Sequence, residues 1–157
     1  MTTKKNSIVK GRPAARLAAV QALYQLEQEP ITPQKVVLEF INHRFNEIVD
    51  GTRFITPDKT LFQDIVLGVM ERLSDLDPMI TSALAEGWRL DRIESVVRAV
   101  LRAAVFELSR DTSVPTPVVI NEYIEITKSF CSPSEVAFVN GSLDALAKLL
   151  RAEGMQE

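Results

Sequence analysis

Apolar residues recur at helical spacing through most of the chain, and this pattern alone predicts an all-α fold. Val37, Phe40, Ile41, Phe45 and Ile48 form one stripe. Ile93, Val97, Val100, Ala104 and Leu108 form another, with Glu94, Arg98 and Arg102 four apart on its outer side as an expected solvated face. Ile120, Tyr123, Ile124 and Thr127 line a shorter helix, and Val136, Val139, Leu143, Leu146 and Leu150 mark the last. No segment alternates with period two over a useful length, so no sheet is predicted.

Prolines set the boundaries. Thr32-Pro33, Thr56-Pro57, Asp77-Pro78, Thr116-Pro117 and Ser132-Pro133 each pair a good N-cap with a residue suited to the first helical position. Ser132-Pro-Ser-Glu135 has the form of a capping box. The predicted helices cover roughly 12–28, 33–49, 57–76, 78–86, 91–109, 117–130 and 133–152. The loop around Asp50–Ile55 is a candidate hinge, but a single domain over 12–157, preceded by a basic flexible tail at 1–11, is the simpler reading.

Composition narrows the class. A 157-residue chain, 46% hydrophobic and 25% charged, suits one soluble globular domain. Cys131 is the single cysteine, which precludes an internal disulfide and suits a reducing, cytoplasmic setting. The sequence carries no long apolar run and no apolar signal-peptide core, so neither a membrane span nor secretion is expected.

Charge changes the picture more. Lys4, Lys5, Lys10, Arg12 and Arg16 all precede the first acid, Glu27, although the formal net charge is −3. An acidic body with a basic arm points to a polyanionic partner, because lysine and arginine near phosphates release condensed counterions. Arg12 and Arg16 lie four apart on the first predicted helix and would project from one side of it. Gln21 and Tyr24 follow; Gln21 has both donor and acceptor for a base edge, and Tyr24 is either a stacking ring or part of the core.

Phe138 lies about 110° round from the centre of the last helix's stripe, beside Ser134, Ala137 and Gly141. A large ring among small residues off the stripe suits base stacking; packing against a neighbouring helix is the alternative. Catalytic chemistry has little to stand on. His43 is the only histidine, Cys131 sits at a helix junction, and Asp75 and Asp77 fit a capping role. No P-loop or dinucleotide fingerprint occurs, and no catalytic residue, cofactor or metal ligand is assigned.

Three stretches carry a resemblance. ARLAAVQALYQLE at 15–27, LDRIESVVRAVLRAAVFELSR at 90–110 and VPTPVVINEYIEITKSFCSPSEVAFVNGSLDALAK at 114–148 resemble the NusB family of transcription antitermination factors. The resemblance implies two small packed helical bundles and a non-enzymatic role in binding boxA RNA of ribosomal RNA operons. It implies a heterodimer with NusE, the ribosomal small-subunit protein, and service in an RNA polymerase antitermination complex. A homodimer of the free protein is a further implication. Carried over by motif, Arg12, Arg16, Tyr24, Ser134 and Phe138 are the implied RNA contacts, joined by Gln21 from the reading of the helix itself.

The chain departs from the family pattern at Pro13 and Ala14 in the basic start, at Ala137 for a frequent lysine, and at Cys131 for a usual glycine. Weak RNA affinity of the chain alone is therefore expected, with a basic partner supplying charge. Two other readings stand beside this one. One is an RNA-binding domain akin to that of RNA cytosine methyltransferases, standing alone or in an enzyme that would need a Rossmann domain after Glu157; the other is a helical module that grips only protein, which would suit the acidic body.

Overall fold

The computed structural model describes residues 2–45, 49–50, 53–54, 57–110 and 113–151, without the side chains of 2–10, 49–50 and 53–54. The expected core residue Ile48, the Thr56 cap and part of the Asp50–Ile55 loop lie outside these residues. Among the described residues run seven α-helices: α1 (Thr2–Gln28), α2 (Pro33–Glu39), α3 (Lys59–Glu71), α4 (Leu73–Ala83), α5 (Ser95–Arg110), α6 (Thr116–Phe130) and α7 (Pro133–Arg151). The all-α expectation holds with one correction. Val49–Asp50 (β1) pairs antiparallel with Arg53–Phe54 (β2), Val49 opposite Phe54. Strands of two residues are too short for alternation to register in the sequence.

The helices fall into two compact units, Met1–Met70 and Glu71–Glu157. The division falls at the end of α3, not in the Asp50–Ile55 loop.

In the first unit, α1 starts at Thr2, so the backbone of 2–11, expected as a tail, is helical and Pro13 lies inside the helix. Ala15, Ala18, Ala19, Val20, Ala22 and Leu23 of α1 are buried. Thr32 caps α2 as expected, its Oγ1 accepting from the Lys35 amide at 3.2 Å. The expected helix 33–49 instead opens after Glu39 into a π turn, Phe40–Arg44, closed by the Phe45 amide donating to the Phe40 carbonyl at 2.9 Å. Such a turn brings residues five apart towards one side. Phe40 and Phe45 thereby both reach Phe62 of α3, at ring separations of 5.5 and 4.8 Å. Asp58 caps α3, accepting from the Leu61 amide at 3.0 Å, while its own amide donates to the Gly11 carbonyl.

In the second unit, α5 packs against α4, α6 and α7. Ile93, Val97, Val100, Ala104 and Leu108 are all buried, as the stripe requires. The solvated face expected outside it is corrected for two of its three residues. Arg98 Nη1 donates to the carbonyls of Leu90 and Ile93, both at 2.9 Å, which ties down the 3-10 turn Leu90–Arg92. Arg102 forks onto Asp77 at 2.9 and 2.8 Å. That pairing accounts for a second correction: Asp77 does not start a helix before Pro78. Instead α4 begins at Leu73 and carries Pro78 inside it, with Leu76 and Ile80 buried one turn apart.

The Ser132 capping box is present. The Ser132 amide donates to Glu135 Oε1 at 2.9 Å, and the Glu135 amide returns a bond to Ser132 Oγ at 3.3 Å. Ser132→Ala is expected to cost about 1 kcal/mol, read as a lower urea midpoint with an unchanged m-value. An unshifted midpoint would mean that the box adds nothing to α7.

Candidate nucleic-acid interface

Four of the six sequence-derived contacts lie on α1 in the first unit, and two lie on α7 in the second. On α1, Arg12 and Gln21 are exposed and Tyr24 is 44% exposed. A half-exposed ring has an accessible face, so Tyr24 is not a core tyrosine.

Arg16 departs from expectation, being only 3% exposed. Its place on the helix explains this. Ala19, Val20 and Leu23, at i+3, i+4 and i+7, are all buried, so Arg16 belongs to the apolar side of α1. That spacing is present in RLAAVQAL itself. A buried guanidinium holds its place through partners inside the protein, and here it cannot also face phosphate from the surface.

On α7, Ser134 is exposed in the first turn, its Oγ 3.1 Å from Ser132 Oγ, beside the capping box. The cap therefore fixes where Ser134 points. One helical turn on, Phe138 is half-buried, with Ala137 and Asn140 exposed on either side. The ring covering Phe138 belongs to Trp88, in the loop between α4 and α5, at 4.7 Å between centroids and tilted by 39°. Trp88 is 53% exposed. Periodicity could not have found it, because the loop EGWRLDR has none; a lone tryptophan in a polar loop was the available signal.

A groove of about 530 Å³ runs between α6 and α7, lined by Ile120, Ile124 and Val136 with Asn121, Asn140 and Asp144 among its polar groups. Two ionisable side chains of the second unit, Glu107 and Arg151, are buried. Tyr123 donates its hydroxyl to Glu107, and Arg151 donates to the carbonyls of Leu108 at 3.1 Å and Val114 at 2.7 Å and to Thr116 Oγ1 at 3.0 Å. Both hold the second unit together and neither reaches the surface.

The Cys131 thiol is pushed up from its ordinary value by burial, then by the carboxylates of Glu135 and Glu94. It is kept protonated, the reverse of what a nucleophile needs. Among the described residues, no helix is long and apolar enough to cross a membrane.

A largely helical scaffold that displays Arg12, Gln21, Tyr24, Trp88 and Ser134 at exposed positions has the surface of a binding protein. The chain is a member of the NusB family, whose profile matches residues 13–148, and that family is non-enzymatic. It is 48% identical to the transcription antitermination protein NusB of Caulobacter vibrioides over 140 residues, 89% of this chain and 94% of that protein. Its fold superposes on T. maritima NusB with a TM-score of 0.72 at 33% identity, covering 93% of this chain and 97% of that one. A chain from a crystal structure of antitermination factors NusB and NusE in complex with dsRNA gives the same TM-score, 0.72, at 23% identity, covering 87% and 96%. At that identity the likeness speaks for the fold.

Proposed function

We propose that this protein is a non-enzymatic transcription antitermination factor that binds boxA-type single-stranded RNA as a heterodimer with NusE, within an RNA polymerase antitermination complex. The observation that carries the reading is the family match over residues 13–148, which takes in every proposed contact except Arg12. The relative from Caulobacter bears the name of an antitermination protein, and the structural neighbour was crystallised with NusE and dsRNA. Exposure of Arg12, Gln21, Tyr24 and Ser134 supports them as contacts, and Phe138 supports an aromatic one. Arg16 is assigned to holding α1 in place.

Among the proposed contacts, Arg12 is the one exposed cation. Ala137 is exposed and neutral where the family pattern has lysine. The chain alone therefore binds RNA weakly, and a basic partner raises the affinity by adding counterion release.

Titrating boxA-type single-stranded RNA and its duplex form, with and without NusE, across a salt series tests this. The expected result is a preference for the boxA sequence, tighter binding with NusE and weakening with salt. Arg12→Ala should reduce the slope of log K against log salt by about one. Neither sequence preference nor salt dependence, with NusE present, would exclude RNA recognition and leave a module that grips only protein. Sedimentation of the free protein tests self-association, and co-migration with RNA polymerase tests the larger assembly.

A further inference from the structure

We infer that Trp88 presents the base-stacking face of this site and that Phe138 is the buttress behind it, a refinement that rests on the RNA-binding reading above. The two rings are in van der Waals contact at 4.7 Å, so no base fits between them. Phe138 is half-buried with Trp88 against it, whereas the indole is 53% exposed. A nucleobase therefore has the outer face of Trp88 to stack upon. Its partner is a single-stranded segment, because a base already stacked on both sides in a duplex offers no free face.

The loop is built to hold the indole there. Gly87 has a φ of +91°, a conformation that L side chains rarely adopt, and the Trp88 amide closes the turn onto the Ala85 carbonyl at 3.0 Å. Downstream, the Leu90–Arg92 turn is fixed by Arg98. The indole is therefore anchored from both flanks and backed by a ring, which lowers the ordering cost of binding.

Charge around the platform is balanced. Arg89 and Arg92 are exposed beside it, but so are Glu86 and Asp91, and Arg89 pairs with Asp91 at 3.2 Å. Stacking rather than ion pairing is therefore the contribution of this loop. It should add affinity without adding salt dependence, unlike Arg12 on α1.

Trp88 is the only tryptophan in the chain, so its emission reports on this position alone. The experiment follows indole fluorescence and, separately, anisotropy of labelled boxA-type single-stranded RNA with NusE present, where NusE's own emission is subtracted. Bound RNA should quench Trp88. Trp88→Ala should weaken binding roughly 5- to 150-fold without changing the salt slope, and Trp88→Phe should recover most of the loss. Phe138→Leu, which keeps an apolar buttress, should retain more affinity than Phe138→Ala. Circular dichroism melts of each variant separate lost folding from lost stacking.

If anisotropy reports binding while the emission is unchanged and Trp88→Ala binds normally, this inference is overturned and the RNA reading survives. If Phe138→Leu loses as much as Phe138→Ala, Phe138 is itself the platform and the assignment is again overturned. If the unmodified protein with NusE binds no RNA, both fail together.

Discussion

Arg151→Ala is expected to destabilise the second unit by about 3 kcal/mol, far more than a typical change in the last turn of a terminal helix. Helix α5 ends at Arg110, so the Leu108 carbonyl has no partner further along its own helix. Arg151 provides one, and with the same guanidinium holds the Val114 carbonyl and the Thr116 hydroxyl at the start of α6. A hydrogen bond from a charged donor contributes about 1.5–3 kcal/mol, and an orphaned buried carbonyl costs about 1–3 kcal/mol. Arg151→Lys should recover less than half of the loss, since an ammonium cannot reproduce the planar fork. Urea titration, with hydrogen exchange at the end of α5, reads both effects. A loss under about 1 kcal/mol for the alanine variant would show that water replaces the guanidinium without penalty.

Phe62→Ala is the second large effect, at about 3–5 kcal/mol, and it falls on the first unit. Phe62 is fully buried, stacked on Phe40 and edge-on to Phe45. Removing its ring leaves a cavity and breaks two aromatic contacts, each worth about 0.5–1.5 kcal/mol beyond the buried area. Phe62→Leu should cost much less, because most of the volume stays. The check is hydrogen exchange resolved by segment: α3 and the Phe40–Arg44 turn should lose protection first. Uniform loss throughout the chain would mean that the ring cluster is not a local keystone.

Much of the fold was legible wherever an element's partner lies close in sequence. The stripe of α5 and the Ser132–Glu135 box needed nothing beyond periodicity and capping rules, and both appear as read. Errors arose where a distant partner overrode a local rule. Asp77-Pro78 has the form of a helix start, but the Asp77 carboxylate belongs to Arg102, 25 residues away. Glu107 sits in an apolar helix with no sequence sign that a tyrosine 16 residues on would satisfy it. Phe40 and Phe45 read as one ordinary stripe, and only their common packing on Phe62 reveals the π turn.

The candidate site was half legible for similar reasons. Tyr24, Gln21 and Ser134 sit at exposed positions, which decides the open choice for Tyr24 against the core. Arg16 is buried because its neighbours at i+3, i+4 and i+7 place it on the apolar side of α1, which its charge alone does not reveal. Trp88 stands in a loop, which has no period for it to violate. Its importance appears only when the fold sets it on Phe138, 50 positions along the chain.

The Arg151 fork has a consequence beyond stability. A straight helix is stiff against rotation about its own axis, so clamping one end fixes the bearing of every side chain along it. Arg151 stands 13 residues beyond Phe138, roughly 20 Å along α7. The clamp at the far end of α7 thus acts as a keyway that sets the azimuth of Phe138. Loosening it would let the helix roll and detune the aromatic pair while leaving every residue of the pair in place.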